Sequence, residues 1–311
     1  PWTGGQVGTS VAQDYNENGA RVFANLGLNQ TWQIDEKWSV DGGFDSSWTA
    51  RNSGFYIFNS NVPPASGEND DFAAVSLGTT YREDKWSWDW RGEYRYSDVE
   101  DKWGLLSGIY GEPKNGLGLS AGARFFLTDP EAAGVSTNAD IRLGLAYRPQ
   151  KTKWIVLNRL DFLYDEQNGA DFEFHNWRLV NNMNLNLKLN PKTQVALQYG
   201  AKYVRDTIDG DDYSGFTDLI GLETRYDVTQ RWDIGVHGST LHSWNSSQLD
   251  YSTGLSLGCN VFGNAWVSVG YNLLGFEDKD FSDGHFTAQG PFVTFRIMGC
   301  STGRANTAPE R

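Results

Sequence analysis

The chain has 311 residues, enough for one large domain or two small ones. Its 26 basic and 39 acidic residues leave a formal charge of −13, which argues against a general nucleic-acid binder, and its two cysteines cannot build a disulfide framework or a four-cysteine zinc site. No stretch approaches the roughly 20 apolar residues of a membrane helix, and the mean hydropathy is −0.52; a helical membrane protein is thereby excluded, whereas a membrane β-barrel, whose strands are only half apolar, is not.

The dominant period along the chain is two. Strands are expected at 4–13, 20–32 and 38–50, and the third shows the pattern: Trp38, Val40, Phe44 and Trp48 alternate with Ser39, Asp41, Asp45 and Ser47. Next come 72–82 and 86–97, the latter setting Trp86, Trp88, Trp90, Tyr94 and Tyr96 against Asp89, Arg91, Glu93 and Arg95. Strands at 102–111, 116–127 and 139–148 follow, then 154–164, whose second face is also apolar through Ile155, Leu157 and Leu163. The span 172–189 alternates Trp177, Leu179, Leu185 and Leu187 with Arg178, Asn182, Asn184, Asn186 and Lys188. The spans 194–205, 213–228, 231–243, 250–261, 265–275 and 286–298 complete about sixteen strands.

The connections alternate in length. Short turns, such as 34–37, 83–85, 113–115 and 190–193, take turns with longer polar loops at 14–19, 51–71, 98–101, 128–138, 165–171, 206–212, 244–249 and 276–285. Short turns at one end and long loops at the other are the layout of an all-β, transmembrane, antiparallel up-and-down β-barrel. Residues 1–298 form that barrel in this reading, and 299–311 a polar tail. The first methionine is Met183 and Pro1-Trp2-Thr3-Gly4-Gly5 reads as a turn, so an upstream segment is expected.

Aromatic residues recur beside the short turns: Trp32 and Trp38, Tyr81 and Trp86, Tyr147 and Trp154, Tyr226 and Trp232, and Trp266. An amphipathic ring is most stable where acyl chains meet headgroups, so these residues are expected to form a girdle at the membrane interface. The acidic residues concentrate in the long loops, which outside a Gram-negative cell would meet lipopolysaccharide phosphates through bridging divalent cations; solubility alone is the competing explanation.

The alternation assigns Arg82, Asp89, Arg91, Glu93, Arg95, Arg124, Asp140, Arg142, Arg148, Arg178, Lys188, Lys202, Glu223, Arg225, Asp233 and Arg296 to the inner face. Charges of both signs suit a wet lumen, either lining a channel and setting its field or pairing across it to close it. Phe55, Tyr56, Ile57 and Phe58, in the longest loop, are too apolar to wave in water and are the candidate constriction.

Catalytic signals are weak. Asp206, Asp209, Asp211 and Asp212 offer oxygen ligands without the spacing of a calcium loop, so no metal site is assigned. His237 and His242 lie five apart and point to opposite faces; His242 with Ser239 or Ser243 is the local candidate for a hydrolase pair. No nucleotide-binding or haem-attachment motif occurs, so no cofactor and no enzymatic activity are expected. Cys259 falls on the lipid side.

As a whole the pattern resembles bacterial outer-membrane β-barrels of the porin-like superfamily. The stretch Leu241-His242-Ser243-Trp244, Tyr251-Ser252-Thr253-Gly254, Trp266-Val267-Ser268-Val269-Gly270-Tyr271-Asn272 and Thr287-Ala288-Gln289-Gly290-Pro291-Phe292 is similar to the C-terminal barrel of large proteobacterial surface proteins. That resemblance implies outer-membrane anchorage, contact with the barrel assembly machinery and display or export of an upstream region; it implies no catalytic residue. Phe292, Phe295 and Ile297 fit the aromatic-rich last strand of such barrels, and the polar tail after it departs from the pattern.

Three functions follow as alternatives: a pore for small polar solutes or ions, a barrel anchoring or translocating an upstream region, and a soluble glycan-binding β-propeller of four-stranded blades. Leu257→Arg is expected to block membrane assembly and Ser256→Arg to be tolerated.

Overall fold

The computed structural model describes residues 3–16, 19–54, 71–131, 134–149, 152–169, 172–262, 265–276, 278, 280–281 and 289–297. The strands are β1 (Gly5–Asn16), β2 (Gly19–Gln33), β3 (Trp38–Gly54), β4 (Phe72–Arg82), β5 (Trp86–Ser97), β6 (Glu100–Lys114), β7 (Leu117–Pro130) and β8 (Val135–Tyr147). They continue with β9 (Trp154–Asn168), β10 (Glu173–Asn190), β11 (Thr193–Ile208), β12 (Asp211–Asp227), β13 (Trp232–Ser243), β14 (Gln248–Phe262), β15 (Ala265–Leu274) and β16 (Gly290–Ile297). All sixteen belong to one sheet in sequence order, and neighbours run antiparallel.

This is the all-β, up-and-down, sixteen-strand architecture expected from the period of two. It replaces the propeller alternative, because a propeller breaks its strands into separate four-stranded sheets. No helix among the described residues is long and apolar enough to cross a membrane.

The chain divides into two compact units. Unit one comprises Pro1–Gln150, Leu157–Asn181 and Lys202–Phe216; unit two comprises Lys151–Val156, Asn182–Ala201 and Thr217–Arg311. Each is described by itself.

Most strands at the long-loop end run further than the alternation suggested. The loop read at 98–101 shrinks to Asp98-Val99, where Ser97 Oγ accepts from the Glu100 N–H (3.1 Å) and donates to the Glu100 carbonyl (2.8 Å). The loop read at 206–212 is a two-residue turn of Asp209 (φ 50°) and Gly210 (φ 88°). Both residues take the left-handed conformation that a tight hairpin of matching twist requires, which Asp and Gly accept at low cost. A polar sequence does not end a ladder: beyond an apolar band the strands keep pairing with both faces in water.

Candidate functional site

In unit two the register fixes which residues share a face. Tyr226, Ile234, Leu257, Val269 and Val293 stand side by side across β12 to β16, and Val236, Leu255 and Tyr271 form the next row. This apolar face is exposed, with Val293 57% and Leu257 49% accessible. The opposite rows hold Glu223, His237 and Asn272, then Arg225 and Ser256, then Asp233 and Ser268. Here the polar side chains are covered: Asp233 and Asn272 are fully buried.

Burial on the polar face is matched by bonding. Arg225 contacts Glu223 through Nε (2.6 Å) and Asp233 through Nη1 (3.3 Å), and Nη1 also donates to Ser268 Oγ (3.4 Å). His237 Nε2 lies 2.9 Å from Asn272 Oδ1. A charge out of water is tolerable only with such partners.

Phe281, after β15, lies on this polar face. Phe276 and Phe281 are buried, and the Asn182 side-chain amide donates to the Asp280 carbonyl (3.5 Å). Phe281 packs where Gly200 leaves room: a Cβ at position 200 would meet the ring at 2.6 Å and Leu219 at 3.4 Å. Sequence reading gave the constriction role to Phe55, Tyr56, Ile57 and Phe58, which lie outside the described residues.

Unit one has the same division. Val75 and Leu77 share their face with Trp90, Tyr94, Trp103, Leu105 and Phe125, whereas Asp89, Arg91, Glu93 and Arg95 point the other way with Arg124, Asp140 and Arg142. Arg124 pairs with Asp140, Arg142 reaches Asp140 (3.7 Å) and Asp161 (3.8 Å), and Arg159 Nε binds Asp161 (2.8 Å). The order across β7, β8 and β9 is therefore Arg, Asp, Arg, Asp, Arg. Asp161 is covered, while the Arg142 side chain is half exposed. The carboxylates hold the guanidiniums from behind and leave them presented to solvent.

Further charged residues of the polar face also have partners. Arg91 approaches Asp41 (3.7 Å) and donates to Ser76 Oγ (2.7 Å), Arg95 lies over the Phe72 ring (3.9 Å), and Arg178 reaches Asp165 (3.4 Å). Arg82 shares the face of Asp89, and Lys188 and Lys202 share those of Asn182 and Gly200 by the alternation of their strands. The Arg296 side chain is outside the described residues. Arg159 and Asp161 were missed because both faces of their strand look apolar at its start.

Aromatic rings beside the short turns lie on the apolar face. The rings of Trp38 and Tyr81 (4.7 Å) and of Tyr81 and Trp86 (4.6 Å) touch in series. Their polar tips converge on the short turn: Glu83 Oε2 accepts from Trp86 Nε1 (3.0 Å) and from the Tyr81 hydroxyl (3.2 Å), and Glu83 Oε1 pairs with Lys37 Nζ (2.5 Å). These partners, Lys37 first, hold the Glu83 carboxyl below its ordinary range, and Glu83 raises Lys37. Trp32 lies over Gly42, and Tyr147, Tyr226 and Trp232 take the same face in their strands. On β9, Trp154 has the parity opposite to that of Arg159 and Asp161 and so falls on the apolar side. Trp266 corrects the expectation: it pairs with Asn260 and Arg296 and shares the face of Ser268, because the parity of β15 puts Val267 and Val269 on the apolar side.

A second belt went unread. In unit one Trp48, Tyr96 and Trp103, and in unit two Trp244 and Tyr251, are exposed on the apolar face toward the long-loop end of their own strands. Asp218 Oδ1 accepts from Trp244 Nε1 (3.1 Å) and approaches His242 Nδ1 (3.7 Å), a rim carboxylate again holding an indole. Ten residues separate Trp38 from Trp48; at about 3.3 Å per residue and a tilt of about 40°, the belts lie about 25 Å apart in height.

The structure does not bring His242 together with Ser239 or Ser243. His242 faces the apolar side with Asp218, while Ser239 and Ser243 fall on the other face, where Ser243 meets Thr217 (3.3 Å). The carboxylates of the Asp206–Asp212 stretch diverge: Asp206 pairs with Asn176, Asp209 accepts from the Glu173 N–H, and Asp212 binds Arg205 and Thr207. Ser256, expected to tolerate arginine, is on the inner side as read but only 7% exposed, with Gly235 directly against it, so that position has no room.

No family model and no curated protein matches the chain. Among solved structures it is similar to a bacterial polysaccharide outer-membrane secretin (TM-score 0.42, 10% identity, 94% of this chain and 98% of that one). It is also similar to BamA from Haemophilus ducreyi lacking POTRA domains 1–3 (0.44, 10%, 95% and 70%) and to OmpT of Vibrio cholerae with loop L8 deleted (0.38, 8%, 80% and 97%). At these scores the functional reading rests on the chain's own residues.

Proposed function

We propose that the chain is an integral outer-membrane β-barrel whose polar face lines a charged aqueous path for small polar solutes or ions. The observation that carries this reading is the inversion of the two faces: Leu257 and Val293 are open while Asp233 and Asn272 are covered. In water this arrangement strands apolar surface; in a bilayer it is the stable one. The two belts, about 25 Å apart, match the apolar band of an outer-membrane barrel. The half-exposed row of Arg124, Arg142 and Arg159 supports a wet path. Lipopolysaccharide and the barrel assembly machinery are the partners this location implies, and no catalytic or cofactor role is assigned.

The test is extraction followed by reconstitution. The chain should need detergent to leave the membrane, and the purified protein should conduct in a planar bilayer; a silent protein overturns the channel. A second reading, an anchor or translocator for an upstream region, is favoured by the filling of the polar face around Phe276 and Phe281. Silence combined with tight membrane retention would select it.

A further inference from the structure

Between the two belts the apolar face carries carboxamides at three described positions, Gln30, Asn158 and Asn181. Gln30 lies beside the short-turn belt and donates to the carbonyls of Thr31 (2.8 Å) and Thr3 (3.2 Å). Asn158 and Asn181 are different. On β9 the ion pairs of Arg159 and Asp161 put the odd positions on the polar face, and on β10 the contacts of Asn176 and Arg178 do the same for the even ones. Asn158 and Asn181 therefore point to the apolar side, with Phe162 and Trp177, whose rings face each other at 6.4 Å.

The pair also sits deep. Trp177 contacts Tyr203 near the long-loop end, and Asn181 is four residues along the strand from Trp177. That is about 10 Å of height at the tilt used above, near the middle of the band. The two amides bond reciprocally, Asn181 Nδ2 to Asn158 Oδ1 (3.2 Å) and Asn158 Nδ2 to Asn181 Oδ1 (3.4 Å). Each bond uses one N–H and one lone pair, so each amide keeps a second N–H and further acceptor capacity. Acyl chains satisfy neither, and an unmet polar group in hydrocarbon is costly.

The unmet groups are self-complementary. A copy turned about a two-fold axis through the pair presents a donor to each acceptor and an acceptor to each donor, which is the requirement of an isologous contact. From this we propose that the β9–β10 face around Asn158 and Asn181 is where a second copy of the chain docks within the bilayer. The inference rests on the membrane reading above.

The test uses the full chain in membranes, with Cys259→Ser and Cys300→Ser removing the native thiols. Leu160→Cys or Leu179→Cys should give a disulfide-linked dimer on oxidation with copper-phenanthroline, and Leu255→Cys, on β14, should not. Adding Asn158→Leu and Asn181→Leu should lower the dimer by about tenfold, the scale of one to two bilayer hydrogen bonds. No dimer, equal dimer at Leu255→Cys, or an unchanged dimer in the leucine variant overturns the docking site. Recovery of the chain in the aqueous fraction without detergent overturns the membrane reading instead, so the two failures are distinguishable.

Discussion

The ring of Phe281 occupies the space that a side chain at Gly200 would need, since a Cβ there would lie 2.6 Å from its Cδ1. The notch is what lets Phe281 rest on the polar face of unit two. Phe281→Ala should loosen that contact at a cost of about 3 kcal/mol. Gly200→Val should expel the ring without altering Phe281. Both variants should raise single-channel conductance over the parent protein; unchanged conductance in both would show that Phe281 does not restrict the path.

The turn around Glu83 gives a pH dependence with a definite sign. The Glu83 carboxyl is held below its ordinary value of 4.5, so its contribution is present above that value and fades as pH falls through the lowered one. Lys37 is held above its ordinary value of 10.5, so its contribution is present below that value and is lost as pH rises through the raised one. The Trp38, Tyr81 and Trp86 cluster should therefore be best ordered between these limits. Tryptophan emission against pH reads it, and Glu83→Gln should abolish the acid limb.

Leu105 and Leu106 are adjacent, both accessible, and face opposite ways; Leu106 pairs with Arg91 on one side and Arg124 on the other. Leu105→Glu should cost about 2 kcal/mol of stability in the bilayer, below the arginine figure. Leu106→Glu should be neutral or better, because two guanidiniums flank it. Urea unfolding in lipid vesicles compares them, and equal effects would refute the facing of β6.

Arg142 bridges Asp140 and Asp161, each of which has a second arginine. Arg142→Gln should leave the fold intact and shift ion selectivity toward cations. The reversal potential in a salt gradient measures this.

Arg225 sits between Glu223 and the fully buried Asp233. Arg225→Met should destabilise the protein by about 3 kcal/mol, the scale of breaking a buried ion pair from one side. Asp233→Asn added to it should restore part of the loss, read as the unfolding midpoint of the single and double variants.

Much of the fold was legible because strands broadcast their faces. The alternation of Trp86, Trp88 and Trp90 with Asp89 and Arg91 fixes extended structure, facing and the neighbourhood of the short turns without any long-range information. Strand ends were less legible: Asp206 to Asp212 looks like a loop in composition, yet the Asp209-Gly210 turn closes a ladder that runs on past the apolar band.

The amino-acid sequence by itself determined the strand count, the two-sided chemistry and the identity of Arg124, Arg142, Glu223 and Arg225 as members of the polar face, since all of these follow from parity along one strand. Only the tertiary structure decided what depends on register and on contacts between distant segments. Phe281 fills the notch at Gly200, and Asn158 on β9 meets Asn181 on β10. Parity is a local property of the backbone, whereas a shift of one residue between strands changes every such pairing while leaving each strand's own pattern intact.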